Sequence, residues 1–165
     1  MLTFEQLQTN VQEWSEARGI YAHSTALAQA LKAVSEVGEL ADATIKGNID
    51  ELRDAIGDVA VCLVNVAYMT GVPVESRQLR KDEVAECKVK AAAHVSHEVT
   101  GVAVDISYGC GKLQMIESIG ASVAQLKSCA KHHGLDFLDC CEAAWNEIKD
   151  RKGFLSPSGA FIKQE

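Results

Sequence analysis

Proline is almost absent from this chain, and that scarcity most limits the folds open to it. The 165 residues contain two prolines, at positions 73 and 157, and apolar and polar residues seldom alternate as they do in strands. Long alanine-rich stretches instead repeat apolar residues at helical spacing. A chain of this length is enough for one domain with a substantial core. We therefore expect a single all-α domain over residues 1–165.

Glycines and capping residues divide the chain into helices. Thr3, with Gln6 three residues later, predicts the start of a first helix that ends at Gly19. The pattern predicts further helices, the second capped by Ser24 and the last by Asp136, over 24–46, 49–70, 75–107, 113–133 and 136–152. A C-terminal segment over 136–165 then combines the last helix with an irregular tail. The short Gly47-Asn48 link predicts an antiparallel hairpin over 24–71.

Carboxylates interrupt the apolar faces of this hairpin. Glu36 and Glu39 stand three residues apart and share a helix face, while Glu51, Asp54 and Asp58 share a face of the next helix. Acids converging from two neighbouring helices would repel one another unless cations lay between them. Oxygen ligands of this kind suit Mg²⁺, for which Mn²⁺ can substitute. The spacing therefore predicts a metal site within the hairpin.

A weaker repeat indicates that the hairpin occurs twice. The run 56–72 parallels the run 119–135 without a gap, and both contain an Ile-Gly pair followed by an apolar helix. The second copy has Ala121 where the first has Asp58, so it cannot build the same carboxylate cluster. We expect a degenerate hairpin over about 84–134 that packs against the first and completes a four-helix-bundle-like domain.

These residues resemble the all-α nucleoside triphosphate pyrophosphohydrolase superfamily, in particular MazG-like proteins. The family segment Q-x-x-K-x-x-E-E-x-x-E is matched by Gln29, Lys32, Glu36 and Glu39. The E-L-G-D that ends the next family segment is matched in part by Gly57-Asp58. The run 146–153 resembles the family's N-x-x-K-x-R segment, and 159–163 resembles its terminal G-x-F-[IV]-K.

The resemblance departs from the family pattern at two positions. Ser35 stands where the first of two paired glutamates is common, and Ala55 stands where a third metal-binding glutamate is expected. Asp54 points within about 40° of Asp58, because each residue turns a helix by roughly 100°. We assign the third acid to Asp54, with Glu51 as an outer member. The dimeric dUTPases of the superfamily also fuse a catalytic half to a degenerate one.

The resemblance implies a metal-dependent hydrolase that converts (deoxy)nucleoside triphosphates to monophosphates and pyrophosphate, in control of the nucleotide pool. It implies Mg²⁺ or Mn²⁺ on Glu36, Glu39, Asp54 and Asp58, with Glu36 or Glu39 as the catalytic carboxylate. It implies substrate contacts, with Trp14 as a stacking surface for the base, from seven residues: Gln29, Lys32, Asn65, Asn146, Lys149, Arg151 and Trp14. A purine deoxynucleotide such as dGTP is the expected substrate, and a homodimer the expected assembly.

Three alternatives stay open at this point. Some phage members of the superfamily remove phosphates stepwise from dGTP and dGDP. A catalytically inactive helical binding protein is a second alternative, since Ala55 and the degenerate half both weaken the family pattern. A zinc site is the third, and its candidate ligands are His94, His97, Cys129, His132, His133, Cys140 and Cys141. No paired C-x-x-C arrangement supports the zinc alternative.

Charge and hydropathy exclude other classes. The net charge is −7 and no basic block occurs, which disfavours nucleic-acid binding. No apolar run reaches the roughly 20 residues that span a membrane, and no signal peptide is recognisable. Six cysteines without a disulfide framework indicate reduced thiols. These features predict a cytoplasmic protein, in the host cytoplasm if a phage encodes it.

Overall fold

Helices account for most of the chain in the computed structural model, which describes residues 2–159 and 161–164. Over those residues the order is α1 (Phe4–Ala17), α2 (Ile20–His23), α3 (Ala26–Lys46), α4 (Ile49–Thr70), a 3₁₀ turn (Lys81–Glu83), α5 (Lys88–Ser107), α6 (Lys112–His132) and α7 (Phe137–Ile148). Two short strands follow, β1 (Gly153–Leu155) and β2 (Phe161–Lys163). The expected all-α fold class is confirmed.

Two helical hairpins form the bundle. α3 packs antiparallel on α4 and α5 packs on α6, while α3 contacts α5 and α4 contacts α6. The turn between α3 and α4 is fixed locally, because Gly47 ends α3 with a φ of 69° and the Asn48 side chain caps α4 by accepting from Glu51 N. α4 lies at the centre, since α1 and α7 also pack on it. This helix carries Asp54 and Asp58 and therefore helps to position the candidate site.

Local signals placed most helix ends correctly. The expected capping box of Thr3 and Gln6 is present at the start of α1, and Asp136 caps α7. The expected cap Ser24 is one residue too early, because the Thr25 side chain accepts the hydrogen bond from Ala28 N. The Ser24 hydroxyl instead accepts from Gln29 Nε2 at 3.0 Å. α7 ends at Ile148, so the expected helix to residue 152 is four residues too long.

The expected helix over 75–107 is wrong in its first third. α5 begins only at Lys88, and residues 73–80 have no regular secondary structure before the 3₁₀ turn. Pro73 disfavours helix at this point, and the segment finds its hydrogen bonds on the second hairpin instead. Arg77 N donates to Gly120 O at 3.2 Å, and Gln125 Nε2 donates to Glu83 O at 3.0 Å. Tertiary contacts thus override helix propensity in the segment over residues 73–87.

Gly57 lets α7 approach α4 closely. A Cβ at this position would lie 2.4 Å from Cys140 O and 2.6 Å from Ala144 Cβ. Gly38 has no such neighbour, because nothing lies within 4 Å of a Cβ built at that position. In the second hairpin, the segment over residues 73–80 passes close to Gly120. Glu75 O would lie 3.1 Å from a Cβ at position 120. Each hairpin is therefore covered by a different part of the chain.

The tail forms a small antiparallel hairpin rather than the irregular segment expected. Gly153 pairs with Lys163 and Leu155 with Phe161. The Phe161 ring meets the Trp14 ring edge-on at 5.3 Å, which ties the tail to α1. Ala160, within the motif over 159–163, lies outside the described residues. No helix in the described part of the chain is both long and apolar enough to cross a membrane.

Candidate functional site

A cavity of about 90 Å³ opens between α1, α3, α4 and the segment that follows α7. Its wall is apolar at one side and polar or charged at the other. The lining side chains are Trp14, Ile20, Gln29, Lys32, Glu36, Asp58, Val61, Cys62, Asn65, Ile148, Arg151 and Phe161. Most of the site residues expected from the sequence therefore border one space. α1 and the tail contribute to it together with the hairpin.

A buried polar network lies at the amide end of the cavity. Ser15 Oγ and Tyr21 Oη donate to Asn65 Oδ1 at 2.7 and 2.9 Å. Asn65 Nδ2 donates to Gln29 Oε1 at 3.4 Å, and Gln29 Nε2 in turn donates to Ser24 Oγ. Burial raises the pKa of Tyr21 to about 12, so its hydroxyl keeps the proton that it donates. This network fixes the Asn65 amide, which is 3% exposed, against the cavity.

The opposite end of the cavity is acidic. The pKa of Asp58 is raised to about 7, first by burial and then by neighbouring carboxylates. Those carboxylates come from three helices and belong to Asp54, Glu36 and Glu147. The pKa of Asp54 is raised first by burial and then by the neighbouring carboxylate of Glu147. Mutual repulsion in a poorly solvated position is the common cause.

Two cations partly balance these acids. Lys32 forms an ion pair with Glu36, which is 4% exposed, and Arg151 forms one with Glu147. Burial lowers the pKa of Lys32, but the Glu36 carboxylate more than offsets that effect, so the pKa is raised overall. Four carboxylates thus face two cationic side chains. The site carries an excess of negative charge that the described protein groups do not neutralise.

This donor set fits a divalent cation. Clustered carboxylate oxygens with unbalanced charge are the environment that Mg²⁺ and Mn²⁺ prefer. Within residues 2–159 and 161–164, however, no three His, Cys, Asp or Glu side chains are arranged to hold one ion together. Glu36 is engaged with Lys32 and Glu147 with Arg151. Any three of the four carboxylates include Glu36 or Glu147, so holding one ion on three of them requires at least one of these ion pairs to open.

Several expected site residues lie away from the cavity wall. Asp54 does not line the cavity, but its carboxyl group belongs to the acidic group beside it. Glu39 is exposed on α3. Lys149 Nζ donates to Asn146 Oδ1 at 2.9 Å on the exposed surface of the α7 end. The expected outer acid, Glu51, is exposed in the first turn of α4.

The structure explains why position 55 holds no acid and shows which side chains already contact the Trp14 ring. Ala55 is 2% exposed and belongs to the hydrophobic core, so an acid at this position would face apolar neighbours rather than the carboxylates. Trp14 lines the cavity, but the Arg18 guanidinium covers its ring at 4.4 Å and Phe161 abuts it. The expected stacking of a base on Trp14 is thus limited by neighbours already in contact with the ring.

Sequence reasoning missed four residues of the site. Glu147 joins the carboxylates from α7, and Ser15 and Tyr21 orient Asn65. Cys62 is buried and also lines the cavity. Glu147 lies within the motif at 146–153 and four residues before Arg151, a spacing that favours an ion pair. That spacing is the feature of the sequence from which Glu147 could have been identified.

The zinc candidates are spread over different contacts. His94 Nδ1 contacts Glu83 O at 3.0 Å, and His132 Nε2 contacts Ala85 O at 3.2 Å. These contacts hold the segment over 73–87 on the second hairpin. Cys129, Cys140 and Cys141 are buried free thiols, and burial raises the pKa of each. The described side chains thus give the zinc alternative no ligand group.

Comparisons with known proteins give one phage relative. No family model matches the chain, and no solved structure matches it. An uncharacterized 18.2 kDa protein from the rep-hol intergenic region of Haemophilus phage HP1 is 36% identical over 67 residues. The match spans 41% of this chain and 41% of that relative. The chain is thus similar to part of a phage protein, and its resemblance to MazG-like proteins stays a prediction.

Proposed function

We propose that this protein hydrolyses (deoxy)nucleoside triphosphates to monophosphates and pyrophosphate with the help of a divalent metal. The observation that carries the proposal is Asp58, a partly buried carboxyl whose pKa is raised to about 7 by burial and by acids from three helices. An acidic group of this kind costs stability unless a cation or a metal-bound substrate compensates it. Such a cost is typical of functional sites.

The two ends of the cavity suit the two ends of a nucleotide. The amides of Asn65 and Gln29, beside Ile20 and Phe161, can hydrogen-bond and enclose a base. The acidic end would hold Mg²⁺ or Mn²⁺ on Glu36, Asp54 and Asp58, and the bound cation would neutralise the triphosphate and polarise its phosphoryl oxygens. A purine deoxynucleotide remains the expected substrate.

The chain's own groups have separate roles in this proposal. Arg151 borders the cavity and can contact phosphate oxygens through two N–H groups at once. Lys32 supplies a second positive charge once it leaves Glu36. Glu36, freed in the same exchange, can orient a water molecule or accept its proton. Of the two glutamates expected to act in catalysis, Glu36 borders the cavity and Glu39 is exposed, which favours Glu36.

A nucleotide panel tests the proposal. The protein is incubated with the canonical deoxy- and ribonucleoside triphosphates and Mg²⁺ or Mn²⁺, and pyrophosphate and phosphate are measured separately. Pyrophosphate release that Asp58→Asn abolishes is the expected result. Asp42→Asn is the matched control, because Asp42 is exposed on α3 and paired with Lys46. Phosphate released in place of pyrophosphate would support the stepwise alternative, and no release from any triphosphate would refute the enzyme proposal.

A non-catalytic nucleotide-binding protein is the second candidate. Two observations favour it: Lys32 already neutralises Glu36, and Glu39 faces solvent. On this alternative, titration calorimetry shows nucleotide binding while neither product forms. The similarity to part of a phage protein supports the host cytoplasm as the place where either activity would operate.

A further inference from the structure

Arg18 joins the end of α1 to the chain that leaves α7. Its Nε and Nη2 donate to Arg151 O at 3.1 and 2.8 Å, and Nη2 also donates to Lys149 O at 3.3 Å. Nη1 donates to Trp14 O at 3.4 Å, while the guanidinium lies over the Trp14 ring. One side chain thus contacts three backbone carbonyls from two elements that are far apart in sequence.

The contacted carbonyls need such a donor. α7 ends at Ile148, so the carbonyls that follow have no partner within the helix. A planar guanidinium presents several N–H groups in a fixed fork, and it can bridge carbonyls that a single ammonium cannot reach together. Stacking on Trp14 holds the fork in place. Arg18 therefore fixes the backbone over residues 149–151.

That backbone carries groups of the candidate site. Arg151 borders the cavity and pairs with Glu147, whose carboxylate raises the pKa of Asp54. Arg18 itself is not part of the cavity wall. We infer that Arg18 is a positioning residue that holds Arg151 at the mouth of the cavity for contact with substrate phosphates. The inference rests on the proposed nucleotide function, although the backbone clamp can be measured without it.

Hydrogen–deuterium exchange of the full chain tests the clamp directly. Arg18→Gln and Arg18→Lys both remove the fork, and faster exchange is expected in peptides that cover residues 149–152. Peptides from α4 should exchange as in the parent protein. Arg53→Lys is the control, because Arg53 is an exposed arginine with no hydrogen bond or ion pair to the described residues. Unchanged exchange over 149–152 in both Arg18 variants would overturn the inference.

Kinetics test whether the clamp acts through Arg151. Arg18→Gln should raise KM for the triphosphate about tenfold and change kcat less than about twofold, since phosphate binding is lost and the carboxylates are kept. Arg151→Gln should have the same effect. In the double variant, Arg18→Gln should add less than about twofold to the effect of Arg151→Gln, because the two residues serve one contact. A purely structural role would instead give additive losses.

The two proposals fail in distinguishable ways. If the parent protein neither binds nor hydrolyses nucleotides, the proposed function is wrong and so is the role of Arg18 in it, even if exchange reveals the clamp. If the parent protein hydrolyses triphosphates and Arg18→Gln leaves KM unchanged, the inference alone is refuted. A raised KM with additive losses in the double variant also refutes it.

Discussion

Replacing Asp58 with asparagine should stabilise the metal-free protein, and the gain should grow with pH. In the native protein the pKa of Asp58 is raised from 3.8 to about 7 by burial and by the acids around it. The native state therefore binds a proton that the unfolded chain has already released, and stability falls as pH rises from the unfolded to the native pKa. Asparagine has no proton to lose.

The size of the effect follows from the shift. A difference of about three pKa units corresponds to roughly 4 kcal/mol between acidic and alkaline conditions, since each unit is about 1.36 kcal/mol. About two of those pKa units lie between about pH 5 and about pH 8. Rearrangement of the exposed Glu147 side chain reduces the repulsion on Asp58 and therefore part of this effect. We expect the stability of Asp58→Asn relative to the parent protein to rise by about 1–3 kcal/mol over this range.

Urea denaturation with a chelator, followed by circular dichroism, measures the effect. Unfolding free energies of the parent protein, Asp58→Asn and the control Asp42→Asn are compared at about pH 5 and about pH 8. Comparing two pH values removes the pH-independent cost of burying an amide. Asp42→Asn should follow the parent protein at both. If the curves of Asp58→Asn and the parent protein run parallel with pH, the carboxylate repulsion described for this site is absent.

Three further predictions use the same measurements. At about pH 8, Mg²⁺ in millimolar excess should raise the Tm of the parent protein by several degrees and leave that of Asp58→Asn unchanged; an equal rise in both would place the cation elsewhere. Gly57→Ala should lower the free energy of unfolding by about 2–4 kcal/mol, because the added methyl group meets the α7 backbone. Gly38→Ala should leave that free energy unchanged or raise it by up to about 1 kcal/mol. Equal effects of the two variants in urea unfolding would contradict the packing of α7 on α4. Glu83→Gln should lower the free energy of unfolding by about 2 kcal/mol, because it disrupts the charged hydrogen bonds between Arg77 and Glu83. This loss of stability should become smaller in acid, since Arg77 lowers the pKa of Glu83 to about 2. A cost that stays constant down to about pH 2 would exclude the ion pair as its cause.

The hairpin of α3 and α4 was predictable because its signals are local. Gly47 and Asn48 specify the turn, and the helical spacing of the acids determines which of them share a face. That geometry led to Asp54 rather than Ala55, and the structure has Asp54 beside Asp58 and Ala55 in the core. Helix periodicity gave the direction in which Asp54 faces, since that depends only on rotation around one axis, and its role as a metal ligand stays a prediction.

Contacts between distant parts of the chain were not predictable in this way. Glu147 approaches Asp54 only because Gly57 allows α7 to pack against α4, and no pattern within α7 reveals that. The segment over 73–87 has helix-forming residues, yet its partners are on α5 and α6. Wherever a conformation depended on such partners, propensity gave the wrong element or the wrong boundary.

The close packing of α7 on α4 also has a consequence for how the protein is made. The hairpin of α3 and α4 joins two helices that are adjacent in sequence, so it can form as soon as it leaves the ribosome. Arg151 and Phe161, which complete the cavity, leave the ribosome well after the hairpin. Until then, the acids on the hairpin lack Arg151 as a counter-charge and the face of α4 around Gly57 is uncovered. Nascent chains should therefore acquire a helical hairpin early and the complete cavity only once residues 151–161 have left the ribosome.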